Sequence, residues 1–175
     1  YWSGIVDESD LCFLGGVPGD GLREVFGVRE EESQAYYAHE SVGIAMSDGN
    51  ALGLTGAYQG LETCSVIHAE GSEVLATYTD QYYAGSPALT VNTFGKGKAY
   101  YVAARTEAAF LTDLYGRLVT DLGIARAIEA DLPSGVTAQV RGDGTTRFVF
   151  LMNFNDDEVQ VALDLQPPRA GDGRQ

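Results

Sequence analysis

The sequence predicts an α/β domain followed by a small antiparallel all-β domain. Directly after a strand-like run, apolar residues recur every three or four positions, a pattern that lays one helix face on a sheet. From residue 136 onward the period falls to two, in short apolar runs separated by turn residues. Between the two rhythms, "IARAIEADLPSG" follows neither, so a boundary is drawn near residues 124–134.

From the N-terminal side, "DLCFLGG" (10–16) is a short apolar run closed by two glycines, the pattern of a buried strand entering a loop. After "VPGDG", the stretch from Leu22 to Phe26 has room for only about two helical turns before Gly27 ends them. Residues 30–50 carry three successive glutamates, two tyrosines and little periodicity, and read as loop. "ETCSVIHAE" and "EVLATY" are rich in β-branched and aromatic residues and are bounded by Gly60, Gly71 and Gly85, so both read as strands.

"ALTVNTF" sets Leu89, Val91 and Thr93 against Thr90, Asn92 and Phe94, the period of a strand, and "KAYYVAA" reads as a second one. The "GKGK" between them could cradle phosphate only if a helix followed directly, so that its amides met the anion. A strand follows instead. Tyr100 stands where the third glycine of a dinucleotide fingerprint would fall, and no Gly-Lys-Ser or Gly-Lys-Thr is present. The stretch is therefore a hairpin turn in which Gly95 and Gly97 supply positive φ while Lys96 and Lys98 project into water.

The second strand feeds a helix. Thr106 suits the N-cap, Glu107 puts negative charge in the first turn, and Gly123 can close the C-terminus. Phe110, Leu111, Leu114, Leu118 and Leu122 form its apolar stripe, opposite Asp113, Arg117 and Asp121, and the stripe is expected to pack on the preceding sheet. Beyond the boundary, Val136, Ala138 and Val140, then Phe148, Phe150, Met152 and Phe154, then Val159, Val161, Leu163 and Leu165 alternate around "GDG" and "NDD" turns. This predicts a three-stranded meander with one apolar face.

Composition limits what such a chain can do. Its 175 residues are 45% apolar and 21% charged, ordinary for a folded domain. With 11 Lys and Arg against 25 Asp and Glu, the formal charge of −14 repels a phosphate backbone, so nucleic acid is excluded as a partner. No apolar run approaches bilayer length and no secretory core opens the chain, so neither membrane nor export is expected. The sequence starts at Tyr1 in residues that already read as core, as a piece of something longer would.

Candidate chemistry is sparse. Cys12 and Cys64 sit among apolar neighbours and read as free core thiols rather than a disulfide. His68-Ala69-Glu70 after an apolar strand, with an upstream cysteine, suggests a Cys-His-Glu thiol hydrolase. Neither cysteine, however, lies in the glycine-flanked elbow that exposes such a nucleophile. His39 beside Glu40 reads as a solvated side chain, and two histidines 29 positions apart with no close cysteine pair give no zinc spacing. The runs Glu30–Glu32 and Asp156–Glu158 read as solvated charge at loops. Ten tyrosines and Trp2 keep a carbohydrate-binding module open, provided that aromatic rings share an exposed face.

"SGIVDESDLCFLGGVPGDGLREVFGVREEE" and "GSEVLATYTDQYYAGSPALTVNTFGKGKAYYVAARTEAAFLTDLYGRL" resemble the second half of the trimerisation domain of family 42 β-galactosidases, over roughly residues 1–123. "LPSGVTAQVRGDGTTRFVFLMNFNDDEVQVAL" is similar to the small β domain that follows in that family. The resemblance implies a partial flavodoxin-like, class I amidotransferase-like domain over 1–126 and a partial C-terminal β domain over 127–175. It also implies a parent enzyme that hydrolyses terminal β-D-galactosides with two glutamates on a (β/α)8 barrel lying outside this sequence. No catalytic, cofactor or metal residue is carried over to this chain. Its implied task is homotrimer assembly in the cytoplasm, with Tyr36, Tyr37, Tyr82 and Tyr83 as candidate contacts.

Overall fold

The computed structural model describes residues 17–19 and 21–163, so the expected strand over 10–16, Trp2 and Cys12 lie outside the described residues. The chain divides after Asp121 into two compact units. The first described helix of the first unit is α1 (Leu22–Phe26), which ends as expected, with the Gly27 N–H donating to the Arg23 carbonyl at 2.8 Å. The Asn92 amide donates to the carbonyls of Glu24 and Val25 at 3.0 and 2.9 Å, satisfying helix-end acceptors that would otherwise need water.

Two strands, β1 (Val28–Ala35) and β2 (Val42–Met46), occupy the segment read as loop. Their periodicity is hidden for a physical reason. A bulge between Glu30 and Glu32 breaks the alternation of β1, and Glu30 points inward although it is a carboxylate. It is tolerated there because the Tyr101 hydroxyl donates to it at 3.1 Å and the Ser33 hydroxyl at 2.5 Å. Tyr101 lies 71 positions away, beyond the reach of any local pattern.

The strand readings over 61–102 hold, as β3 (Ala57–Ala69), β4 (Glu73–Tyr78), β5 (Pro87–Phe94) and β6 (Gly97–Val102). After Ala103 the chain continues as β7 (Ala104–Thr106). The sheet runs β1-β3-β2-β4-β5-β6, with β7 returning to pair with β3, and every pairing is antiparallel. Since β6 and β7 are one strand bent at Ala103, the sheet curls until its end meets its own third strand. Over its described residues the first unit is therefore mostly a curled antiparallel sheet carrying few helices, which corrects the α/β class read from a helix laid on a sheet. That signal belongs to one helix, and among the described residues the sheet it rests on is antiparallel throughout.

Gly60 does not bound a strand but lies inside β3. A Cβ there would stand 2.8 Å from the Cys64 sulfur and 3.3 Å from the Ala104 Cβ, so only glycine fits where β7 crosses β3. The 94–97 hairpin is the predicted turn, with Phe94 paired to Gly97, and only Gly95 takes positive φ (58°); Gly97 does not. Positive φ at the first central position alone matches a type II′ turn, which suits the twist of the flanking strands.

α2 (Ala108–Asp121) sits on this sheet through Phe110 and Leu114, which are buried, and through half-buried Leu118. The Phe110 ring meets Tyr58 edge-on at 5.1 Å, and the Tyr58 hydroxyl donates to Asp113 at 2.8 Å. Two expectations are corrected. Thr106 closes β7 and its hydroxyl, buried, finds no partner, so it is not the N-cap; Glu107 instead clamps the helix start to β3, accepting the Gln59 N–H at 2.9 Å. Leu111 stands 38% exposed because the sheet covers only part of the apolar arc, and Leu122, 72% exposed, lies beyond the end of α2.

The second unit holds β8 (Val136–Gly142) and β9 (Arg147–Asn153), paired antiparallel. Asp143 builds their turn, accepting from the N–H groups of Thr146 and Thr145 at 2.7 and 2.9 Å, and these bonds hold its carboxyl down at about 2. The register sets Val136, Ala138 and Val140 on one face with Val149 and Leu151. Phe148, Phe150 and Met152 fall on the other face with Thr137, Gln139 and Arg141. The single apolar face is therefore not formed, and residues 154–163 make no third strand; Leu165 is outside the described residues.

Leu114→Ala should cost about 2–5 kcal/mol in a denaturant melt, as a core truncation does. Leu118→Ala, at a half-buried site, should cost roughly 1 kcal/mol. Equal losses at both positions would contradict this placement of α2.

Candidate self-association surface

Two segments of the first unit bring aromatic side chains together: the turn after β1 (36–41) and the loop between β4 and β5 (79–86). The loop is fixed from both ends. The Gly85 N–H donates to the Tyr78 carbonyl at 2.8 Å, the Tyr78 N–H to the Ser86 carbonyl at 3.0 Å, and Asp80 accepts the Gly43 N–H from β2 at 2.9 Å. Tyr83 is buried beneath, edge-on to Tyr78 at 4.9 Å and to Tyr82 at 5.0 Å. Its hydroxyl meets that of Tyr36 at 2.5 Å, tying the loop to the turn. Burial, with that bond, pushes the Tyr83 phenol well above its ordinary range.

On this base two rings are presented to solvent. Tyr82 is 71% exposed while its hydroxyl donates to Glu32, and that bond, with the nearby charge, pushes the phenol up to about 12. Tyr37 is 75% exposed and lies parallel to His39 at a ring separation of 6.0 Å, its N–H donating to Glu40 at 2.9 Å. The four tyrosines singled out in the sequence thus divide into two supports, Tyr36 and Tyr83, and two presented rings. Exposed aromatics held in one conformation are suited to contact, because little side-chain entropy remains to be lost when they are covered. Glu32, which fixes Tyr82, was missed by the sequence reading. Only the inward turn of Glu30 and the bulge beside it explain where Glu32 points.

Among the described residues, those considered for chemistry are not assembled. Cys64 is buried in β3, where desolvation pushes its thiol up and away from nucleophilic character. His68 lies four residues along the same strand, roughly 13 Å away by strand rise, exposed and bound to Glu31. Glu70 is held by the Arg23 guanidinium at 2.6 and 2.7 Å, with Arg29 at 3.6 Å. Glu30, Glu31 and Glu32 are each engaged in β1 rather than solvated at a loop, whereas Asp156–Glu158 are exposed as expected. Lys96 and Lys98 project into water. Among the described residues no cluster of His, Cys, Asp or Glu has the grouping to hold a metal ion, and no helix is long and apolar enough to cross a membrane.

Comparison with known proteins adds the following. The model of the β-galactosidase trimerisation domain matches residues 1–125, and that of the β-galactosidase C-terminal domain matches residues 135–167. β-Galactosidase BglY of Alicyclobacillus acidocaldarius is 54% identical over 164 residues, covering 94% of this chain and 24% of that protein. β-Galactosidase Pbg of Clostridium perfringens is 52% identical over 163 residues, covering 93% and 24%. Among solved structures, the cold-adapted β-galactosidase from Rahnella sp. R3 superimposes with a TM-score of 0.81 at 50% identity, over 90% of this chain and 23% of that one. The chain thus spans about a quarter of the length of the curated relatives it matches.

The Tyr82 phenol offers a direct check on the surface. Its raised value favours the neutral, folded form, so its contribution is present below pH 10.0 and is lost as pH rises toward about 12. Glu32→Gln should bring its absorbance titration back toward 10.0, whereas an unmoved titration would mean that the bond does not form. For the thiols, a maleimide should label Cys64 slowly in the native chain and quickly in denaturant, and His68→Ala should leave the native rate unchanged.

Proposed function

Because the chain belongs to the family 42 β-galactosidases, we propose that its own task is to hold the subunits of such an enzyme together as a homotrimer. Hydrolysis of terminal β-D-galactosides is then the work of a catalytic (β/α)8 barrel elsewhere in a longer protein. What carries this reading is a coincidence. The exposed Tyr82 and Tyr37, with the Tyr36–Tyr83 pair and Glu32, lie inside the residues that match the trimerisation domain.

Electrostatics support the same division. A retaining glycosidase needs two carboxyl groups about 5 Å apart, one of them raised so that it can donate a proton. Glu31 and Glu70 are moved the other way, held below the usual carboxylate range by hydrogen bonds to His68 and Arg23. The proposal also takes the division of labour as residues 1–126 for assembly and 127–175 for the small β domain. The curled sheet is then one part of a larger flavodoxin-like, amidotransferase-like domain, in a cytoplasmic enzyme using no cofactor or metal. Among the described residues the geometry does not favour the thiol hydrolase, since Cys64 and His68 have separate partners.

Sedimentation of this chain at two protein concentrations should give a trimer mass that falls on dilution. The same sample should release no nitrophenol from a nitrophenyl β-galactoside above a buffer blank. A monomer at every concentration would overturn the assembly role, and turnover lost on changing a glutamate of this chain would overturn its non-catalytic nature. Galactose perturbing the exposed tyrosines of a monomeric chain would favour carbohydrate binding instead.

A further inference from the structure

Within the described residues the sequence sets aspartate directly before glycine at Asp48-Gly49, in the turn after β2, and at Asp143-Gly144, in the turn between β8 and β9. Such a pair carries its own electrophile and nucleophile. The amide nitrogen of the glycine attacks the Cγ of the aspartate and closes a cyclic imide, and glycine, lacking a Cβ, hinders that approach least.

In backbone terms the two pairs are alike. Gly49 has φ 67° and Gly144 φ 92°, both are exposed, and among the described residues no atom beyond the adjoining ones lies within 4 Å of where a Cβ would stand on either. The carboxylates differ. The Asp143 Oδ1 accepts from the N–H groups of Thr145 and Thr146 at 2.9 and 2.7 Å and from the Thr145 hydroxyl at 2.8 Å. Those donors hold the carboxylate in place and ionised, whereas only a protonated carboxyl gives up its oxygen as water. A carboxyl held at about 2 instead of 3.8 is protonated more than tenfold less often at any pH well above both. Asp48 is exposed, and among the described residues neither its carboxylate nor the Gly49 N–H makes a hydrogen bond.

The residues around Asp48 are fixed. Asn50 is buried, and its amide donates to the carbonyls of Ser47 and Leu54 at 2.8 and 2.7 Å while its Oδ1 accepts the Leu52 N–H at 3.1 Å. The Asn50 N–H closes the turn on the Ser47 carbonyl at 3.2 Å. The bare pair thus spans a closed turn just before the core residue Leu52, which is 1% exposed.

We propose that Asp48-Gly49 is a site of spontaneous backbone modification, where aspartate converts to isoaspartate through an imide, while Asp143-Gly144, bonded to its threonines, resists. The step needs no co-reactant but water. The Gly49 nitrogen bonds to Cγ, the carboxyl C–O bond breaks, and the hydroxyl leaves with the amide proton as water. Water then adds at the Asp48 backbone carbonyl carbon, the bond from that carbon to nitrogen breaks, and the nitrogen recovers a proton. The side-chain methylene has joined the main chain, a backbone carbonyl has become a free carboxylate, and the composition is unchanged. The lengthened turn no longer matches the Ser47–Asn50 bond, so the anchoring of Asn50 and Leu52 weakens. This chemistry is local and does not depend on assembly.

The test ages this chain in heavy-oxygen water at mildly acidic pH, folded and in denaturant. Trypsin in ordinary water then separates peptides 30–96 and 142–147, and mass spectrometry with fragmentation locates heavy oxygen and isoaspartate within them. In denaturant both pairs are expected to react at similar rates. In the folded chain Asp48 is expected to go on reacting while Asp143 falls at least tenfold behind it. Asp48→Glu, whose longer side chain disfavours the imide, should abolish uptake at that position, and the aged chain should unfold at lower denaturant than an equally aged Asp48→Glu chain. Folded-state uptake at Asp48 no faster than at Asp143, or isoaspartate confined to the denatured sample, would overturn the proposal; equal melts would overturn the weakening of the turn.

Discussion

The first unit depends on the two backbone groups of Ala103. Its N–H donates to the Ala88 carbonyl on β5 at 2.9 Å, while its carbonyl accepts the Ser65 N–H from β3 at 2.7 Å and the Tyr78 hydroxyl at 2.9 Å. A residue inside a regular strand sends both groups to one neighbour; here they go to two. That split turns β6 into β7 and brings the end of the sheet back to its third strand, so that these strands bond on both edges. Both lone pairs of the carbonyl are used, which is what permits it to be buried.

Tyr78 carries this constraint outward. Fully buried, it spans the interior to reach Ala103 and the Ser65 carbonyl, and its ring is the wall on which Tyr83 rests. Tyr83 in turn fixes Tyr36 and supports Tyr82. The line from the closing bond of the sheet to exposed Tyr82 is three aromatic rings long, each meeting the next edge-on. Tyr82 is therefore supported from the closed core and not by its loop alone.

The acidic composition plays a second part. In a chain of net charge −14 the carboxylates would be expected to repel one another across the surface. Many instead serve as acceptors: Glu30 for Tyr101, Glu31 for His68, Glu32 for Tyr82, Glu70 for Arg23 and Glu107 for the β3 backbone. Three successive glutamates of β1 thus reach three different partners, Glu30 facing the interior. A strand that looks like an exposed acidic loop is held in place by its charges.

What the sequence determined alone is what short-range chemistry encodes. The 94–97 turn follows from a glycine that accepts positive φ, the strands around it from their alternation, and the two helices from spacing and a terminal glycine. The family resemblance was legible too, because it rests on runs of residue identity. Tertiary structure decided the rest. β1 is a strand whose inward carboxylate meets Tyr101, β2 is one through its pairing with β3 and β4, and Gly60 is interior because β7 crosses it. Leu111 and Tyr115 were left exposed only because the curled sheet is too narrow to cover the whole arc of α2. Each of these outcomes turns on partners tens of residues apart, and periodicity, which records only how neighbours along the chain alternate, carries no information about which distant group will arrive.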